Sequence, residues 1–228
     1  MFRTIIFDLD DTLLETSRLL VPQAERESCL AMIAAGLDCD LDTCLRARRN
    51  FIKQNLRTQI FESMVREVGI KPSANEIEVA SAGSRAFYDR NVESHISLAP
   101  AVLQLLEKMK AKYNLFLVTA GSVKTQKQKV AILNIETFFK KIIYVDLTQK
   151  ETKAQAFRKV MEWSQTPNSE VLCVGDRIDT DIAVAKSLGM KACLVTKGEY
   201  AQLKPLSPLE EPDFQVGQVT EIELVCQL

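Results

Sequence analysis

Several features are scarce in this chain, and each scarcity excludes a class of function. No apolar run approaches the roughly 18 residues of a transmembrane helix, and the N-terminus lacks the basic region, apolar stretch and cleavage site of a signal peptide. The formal net charge of −1 over 228 residues gives no reason to expect nucleic acid or an anionic membrane as a partner. We therefore expect a cytoplasmic protein.

Histidine and paired cysteines are also scarce. His95 is the single histidine, which weakens any proposal of a Ser-His-Asp or Cys-His catalytic group. The six cysteines follow no framework of pairs, and Cys39 and Cys44 have no second pair of cysteines that would complete a zinc site. We predict six reduced thiols, most of them buried as small hydrophobic side chains.

The order of predicted elements indicates an α/β protein with a helical insert. After a short first strand, residues 13–95 read as helices: one over 21–35 that ends at Gly36, a long amphipathic stretch over 41–68 and one that begins at Ser73. From Ala99 onward, helices and strands alternate, which is typical of a parallel sheet. We predict a Rossmann-like parallel sheet flanked by helices, formed by residues 1–14 and 96–228, with a helical insert at 15–95.

Three carboxylates follow the first predicted strand, Thr4 to Phe7. They are Asp8, Asp10 and Asp11. Because open α/β sheets bind ligands beyond the carboxyl ends of their strands, we expect these acids at the mouth of a site. In an extended chain Asp8 and Asp10 lie on one side, where they repel each other unless a cation is present or one keeps its proton. The spacing indicates either Mg²⁺ or a nucleophile and acid pair, and a solvated acidic turn is the alternative.

Two later segments place polar residues where they would face the same crevice. Thr119 closes an apolar strand and precedes Ala120 and Gly121, where a hydroxyl and free backbone N–H groups suit a phosphate. Lys153 begins a helix, and because a cation opposes the helix dipole there, this placement indicates an anionic neighbour. Lys150, three residues earlier, is the rival for that role.

A fourth segment combines a Gly-Asp turn with further acids. Gly175 and Asp176 follow an apolar strand, and Asp179 is the predicted N-cap of the next helix. Asp176 and Asp181 remain as hard oxygen ligands of the kind that Mg²⁺ prefers.

Together these segments resemble the haloacid dehalogenase superfamily of phosphohydrolases. The matching residues are Asp8, Asp10 and Thr12 for the DxDxT motif, Thr119 for the second motif, Lys153 or Lys150 for the lysine, and Gly175, Asp176 and Asp181 for GDxxxxD. The helical insert resembles the family's α-helical cap of the first type. Two departures are Asp11, which stands where many relatives have glycine, and the lysine, which lacks the usual Lys-Pro context.

The resemblance implies a Mg²⁺-dependent phosphatase that acts on a small phosphorylated metabolite. Asp8 would attack phosphorus and form an aspartyl-phosphate, and Asp10, protonated because of the neighbouring charge of Asp8, would serve as general acid and then as base. Thr119, Ala120 and Lys153 would bind the phosphoryl group. The implied metal ligands are Asp8, Asp10 through its backbone carbonyl, Asp176 and Asp181.

Other interpretations remain open from the sequence. Asp10 favours phosphate chemistry, because haloacid dehalogenases proper lack the second aspartate of the motif. A phosphomutase would pass the phosphoryl group to a sugar hydroxyl instead of water, and a phosphoaccepting receiver-like module is a third possibility. A basic stripe in the insert is either a solvated helix face or a contact for an anionic substrate; it consists of Arg46, Arg49, Lys53 and Arg57. The chain is expected to be a monomer or a homodimer.

Overall fold

Six parallel strands form one sheet in the computed structural model, which describes residues 1–54, 59–92 and 96–228. The strands are Thr4–Phe7 (β1), Asn114–Gly121 (β2), Lys141–Asp146 (β3), Val171–Gly175 (β4), Lys191–Val195 (β5) and Phe214–Val216 (β6). Their order across the sheet is β3-β2-β1-β4-β5-β6, and every neighbouring pair is parallel. The predicted α/β fold with a parallel sheet is confirmed.

Ten α-helices lie within the described residues. They are Thr16–Leu19 (α1), Val21–Ala35 (α2), Leu41–Lys53 (α3), Ile60–Val68 (α4), Glu76–Tyr88 (α5), Pro100–Lys110 (α6), Val123–Leu133 (α7), Lys153–Ser164 (α8), Ala183–Ser187 (α9) and Ile222–Val225 (α10). A π-helical turn, Ile178–Ile182, leads directly into α9. The chain divides into two compact units: Met1–Ser17 with Glu93–Leu228, and Arg18–Val92. The first unit holds the sheet.

The sheet is buried because helices cover it. All residues of β1 and β4 are buried, and α6, α7 and α8 contact β2. Since both faces of a parallel sheet are covered in this way, its strands read as continuous apolar runs instead of alternating ones. The core between strands and helices includes Ile6, Val118, Phe157, Cys173, Ile182 and Leu194.

The register of the central strands aligns the ends that carry the motifs. Phe7 lies opposite Val174 of β4 and opposite Leu117 of β2. Asp8, the next residue after β1, donates its N–H to the carbonyl of Val174 at 2.9 Å. The first acid of the chain therefore lies directly beside the end of β4.

The second unit consists of α2 to α5 around its own apolar core. Helix α2 ends at Gly36, as predicted, with a left-handed φ of 114°. Close packing between α2 and α5 depends on Gly83, because a Cβ at that position would lie 2.7 Å from the Sδ of Met32. The core includes Cys29, Met32, Phe61, Met64 and Val79.

Two predicted helix boundaries in this unit are wrong. The stretch over 41–68 contains two helices, α3 and α4, and residues 55–58 between them lie outside the described part of the chain. The helix predicted from Ser73 begins at Glu76, because Asn75 is the N-cap and its side chain accepts a hydrogen bond from the N–H of Glu78 at 3.1 Å. Asn is as good an N-cap as Ser.

The basic stripe is partly engaged in ion pairs within its own unit. Arg49 donates to Glu25 of α2 at 3.0 Å, and buried Arg48 binds the same carboxylate at 3.3 Å. Arg46 and Lys53 are exposed, and Arg57 lies outside the described residues. A role of the stripe in substrate binding stays a prediction.

Two further features are the state of the cysteines and the length of the helices. All six cysteines are free, and five of them are buried. Among the residues described, no helix combines the length and the apolar character needed to span a bilayer.

Candidate active site

Three carboxylates meet where β1 and β4 end. Asp8, Asp176 and Asp181 each contribute an oxygen, and these three oxygens lie within 4.8 Å of one another. All three side chains are buried. Burial raises the pKa of Asp8 to about 7, opposed by Lys153 and reinforced by Asp181 and Asp10, and the pKa of Asp176 is raised well above its usual value by burial and by Asp8. Burial and the neighbouring acids therefore both favour the neutral form of these two carboxyls.

Lys153 is the cation inside this cluster. Its Nζ donates to Asp8 Oδ1 at 2.7 Å and also to Asp181. Burial by itself would lower the pKa of Lys153, but the two carboxylates raise it, so the side chain is an ammonium. Of the two predicted lysines, Lys150 is exposed in the turn before α8 with a φ of 56°. The structure therefore brings Lys153 to the acids and leaves Lys150 outside.

The turn after β4 holds Asp181 against the strand end. The backbone N–H of Arg177 donates to Asp181 Oδ2 at 3.2 Å. The prediction that Asp179 is the N-cap of the next helix is wrong, because the Arg177 guanidinium binds the Asp179 carboxylate, with Nε at 2.9 Å. The charge-assisted hydrogen bonds between Arg177 and Asp179 thus occupy the carboxylate that was expected to cap the helix.

Asp10 lies outside the three-carboxylate cluster and has its own donors. Its Oδ1 accepts from Lys129 Nζ at 2.7 Å and from the Thr16 hydroxyl, and its Oδ2 accepts from Gln126 Nε2 at 2.8 Å. Although burial raises the pKa of Asp10, Lys129 and the other donors lower it below its usual value. The prediction that the charge of Asp8 keeps a proton on Asp10 is therefore wrong for this structure, because Lys129 supplies an opposing charge.

Two buried hydroxyls near the strand ends, those of Thr12 and Thr119, have no hydrogen-bond partner among the described residues. Thr119 is fully buried within β2, and Ala120 beside it is half-buried, its carbonyl accepting from Gln126 at 3.0 Å. An unsatisfied buried hydroxyl is costly unless a ligand completes its hydrogen bonds, so Thr119 fits the predicted phosphate contact.

Asp11 has a structural setting that explains a non-glycine residue at this position. Its φ is 53°, in the left-handed region. Its carboxylate accepts from the N–H of Ser17 at 2.8 Å and from the Ser17 hydroxyl, whose oxygen accepts from the N–H of Glu199 at 2.9 Å. Gly198 leaves the necessary room, since a Cβ there would lie 2.3 Å from Asp11 Cγ. Asp11 therefore links the first motif to the loop after β5.

The cluster fits a divalent metal ion of the hard type. Its donors are carboxylate oxygens, which Mg²⁺ prefers. Burial and the neighbouring acids raise the pKa of Asp8 and of Asp176, and a bound cation would favour the ionised form of both carboxylates.

The chain is therefore an α/β protein with a buried acidic site, bridged by a lysine, at the carboxyl ends of its central strands. Residues 5–195 match the family model described as haloacid dehalogenase-like hydrolase. The chain belongs to this family, which confirms the predicted resemblance. Because the chain belongs to a hydrolase family, its interpretation as a phosphoaccepting receiver-like module is wrong.

Several known proteins are similar to this chain over nearly its whole length. A glyceraldehyde 3-phosphate phosphatase of Methanopyrus kandleri is 27% identical, with 97% of this chain and 96% of that protein covered. The N-acylneuraminate-9-phosphatase of Homo sapiens is 25% identical over 99% and 94%. The HAD-hydrolase YfnB of Bacillus subtilis, solved with bound magnesium, has a TM-score of 0.68 at 22% identity over 98% and 97%.

Proposed function

We propose that this hydrolase is a Mg²⁺-dependent phosphatase that acts on a small phosphorylated metabolite through an aspartyl-phosphate. The observation that carries the proposal is the buried ammonium of Lys153 between Asp8 and Asp181, with Asp176 in the same cluster. A nucleophilic carboxylate, a fixed cation and a set of hard metal ligands are the parts that phosphoryl transfer requires. Relatives named as phosphatases of two phosphorylated metabolites support this class of substrate.

The metal would be held by acids that are already clustered. Asp8, Asp176 and Asp181 would ligate Mg²⁺, together with the predicted backbone carbonyl of Asp10. When bound, Mg²⁺ supplies positive charge against the phosphate dianion. At 4 Å, one uncompensated like charge costs about 4 kcal/mol at an effective dielectric of 20, or roughly a thousandfold in rate.

The chain's own residues supply nucleophile, acid and base. A carboxylate oxygen of Asp8 bonds to phosphorus while the bond from phosphorus to the ester oxygen breaks, and Asp10 delivers a proton to that oxygen. Asp10 then takes a proton from water, whose oxygen bonds to phosphorus as the Asp8 ester breaks. The second role matches the ionised state in which Lys129 holds Asp10, whereas the first requires that Asp10 takes up a proton from solvent before the ester bond breaks.

Binding of the phosphoryl group would rest on Thr119 and Lys153. The free hydroxyl of Thr119 would donate to a phosphoryl oxygen, and the Lys153 ammonium would keep the nucleophile in place and offset its charge. The cap assignment of the second unit and a cytoplasmic location stay predictions.

Substitution of the nucleophile tests the proposal. Asp8→Asn keeps the size of the side chain but removes the attacking oxygen, so we expect loss of Mg²⁺-dependent hydrolysis of 4-nitrophenyl phosphate by at least about a thousandfold. Release of inorganic phosphate is the measurement, and circular dichroism checks the fold. Asp42→Asn, at an exposed position in the first turn of α3, is the matched control and should keep full activity. Turnover retained in Asp8→Asn would refute the nucleophile assignment.

A further inference from the structure

Lys129 is a buried cation whose position no motif of the family resemblance explains. It lies on α7, is 6% exposed, and its Nζ is 2.7 Å from Asp10 Oδ1. A buried ammonium loses its hydration, so a lysine is retained at such a place only with a charged or strongly polar partner. Its described partner is the carboxylate of Asp10.

The neighbouring contacts fix both oxygens of Asp10. Gln126, one turn earlier on α7, holds Oδ2 through an amide that also donates to the carbonyl of Ala120. Because both of these contacts are acceptors, the orientation of the amide follows from them. Gly121, with a φ of 144°, leaves the space, since a Cβ there would lie 3.0 Å from Gln126 Nε2. Helix α7 thus presents two donors to one carboxylate.

We infer that Lys129, assisted by Gln126, is a positioning residue that holds the Asp10 carboxylate in one orientation for proton transfer to and from the reacting oxygens. Lys129 itself touches neither the three-carboxylate cluster nor Thr119 among the described contacts. Its effect therefore reaches the reaction through Asp10. This inference rests on the proposed function, in which Asp10 is the acid and base.

The positioning role predicts a loss that depends on the leaving group. In Lys129→Met the Asp10 carboxylate loses its charged partner and keeps only the contacts to Thr16 and Gln126, so its orientation toward the leaving oxygen is less fixed and proton delivery slows. Phenol is a weaker acid than 4-nitrophenol and needs that proton more. We expect kcat/KM, which reports the first chemical step, to fall about 100-fold for phenyl phosphate and about tenfold or less for 4-nitrophenyl phosphate. The inhibition constant of inorganic phosphate should be unchanged.

Three further variants separate this role from damage to the fold. Lys129→Arg keeps the charge and should restore part of the activity on phenyl phosphate. Lys124→Met, at an exposed position on the same helix, should match the wild type on both substrates. If Lys129→Met does not fold, Gln126→Met allows the same comparison, because it removes the donor to the other oxygen.

The outcomes distinguish this inference from the proposed function. An equal loss on both aryl phosphates, a weaker inhibition by phosphate, or unchanged kinetics in Lys129→Met would overturn the positioning role while leaving the phosphatase in place. Absence of any Asp8-dependent hydrolysis in the wild type would instead overturn the proposed function.

Discussion

Gly175 shows how closely single residues are fitted at this site. It is the last residue of β4, and a Cβ there would lie 2.4 Å from Asp181 Cγ and 2.6 Å from its Oδ2. No real Cβ tolerates such contacts, so any side chain at 175 would displace the Asp181 carboxylate. Glycine in the Gly-Asp turn is therefore needed for space beside an acid that Lys153 also holds.

Substitution of this glycine should disable the acidic cluster without unfolding the sheet. In Gly175→Ala the displaced Asp181 leaves both Lys153 and the candidate metal site, and we expect a loss of about 10–100-fold in Mg²⁺ affinity and in turnover. Isothermal titration with Mg²⁺ and phosphatase kinetics are the measurements. Gly217→Ala is the control, because a Cβ there meets Glu221 only at 3.7 Å. Unchanged Mg²⁺ binding in Gly175→Ala would remove Asp181 from the site.

At the residue scale, motif spacing predicts the acids and misses their partners. Lys153 and Asp176 are found because their place after a strand is readable in the sequence. Gln126 and Lys129 are missed, although their signal exists: with Val130 and Leu133 they occupy the i, i+3, i+4, i+7 positions of the buried face of α7. A charged residue at a core position of an amphipathic helix indicates a buried partner, and the fold alone identifies that partner as Asp10.

Among the elements, the edge strand β6 is short and depends on Asp213 for its attachment. This residue precedes β6, and its carboxylate accepts from Lys191 Nζ at 2.7 Å and from the N–H of Ala192 at 3.0 Å, both at the start of β5. Lys186 of α9 lies 3.2 Å away. Burial would raise the pKa of Asp213, but these donors lower it below its usual value of 3.8.

Asp213→Asn should therefore destabilise the sheet edge in a pH-dependent way. A carboxyl whose pKa is lowered on folding contributes stability above its unfolded pKa and loses it as the pH falls through the folded value. We expect a loss of about 1–2 kcal/mol in the free energy of unfolding between pH 5 and 8, because the charged partners lie near the surface. The difference from the wild type should shrink below about pH 4.

Urea unfolding at several pH values measures this difference. Glu211→Gln, an exposed acid in the same loop, is the control and should leave the unfolding free energy within about 0.5 kcal/mol of the wild type. A loss that stays constant down to pH 3 would show that shape, and not charge, makes Asp213 important.

Element boundaries follow from the sequence where a local signal is unique. Gly36 ends α2 as predicted, since the left-handed cap favours glycine. The predicted start of α5 is misplaced because Ser73 and Asn75 are both good caps, and only the path of the chain decides between them. Asp179 likewise has the residue type of a cap, but the side chain of Arg177 binds it instead.

In the whole molecule, the strand order decides which motifs meet. With β1 between β2 and β4, the segments that carry Asp8, Thr119 and Asp176 become neighbours although more than fifty residues separate each from the next. The alternation of helices and strands predicts a parallel sheet, and the motifs predict a shared crevice. Neither gives the order of strands, which depends on packing between distant elements.

Assembly of acids from distant segments makes metal binding a contribution to folding. The unfolded chain has no such cluster, so an ion that binds only the native state stabilises it by about 2.7 kcal/mol at a hundred times its dissociation constant. For a chain of this size, that corresponds to a rise in Tm of roughly 5–10 °C. We therefore expect Mg²⁺ to raise Tm in a concentration-dependent way, measured by differential scanning calorimetry against a chelator.

Asp176→Asn should change the stability of the protein differently with Mg²⁺ and with chelator. The amide removes one metal ligand, so the Mg²⁺-dependent rise in Tm should largely disappear. In the presence of chelator, however, the variant should be as stable as the wild type or more stable, because Asp176 no longer adds a third carboxylate to a buried cluster that has Lys153 as its cation. A variant that is less stable than the wild type in chelator, yet still stabilised by Mg²⁺, would mean that Asp176 serves the fold and not the ion. Measurements with Mg²⁺ and with chelator thus distinguish two roles of Asp176. In one, the residue lowers the stability of the metal-free protein in order to bind the ion; in the other, it stabilises the end of the strand.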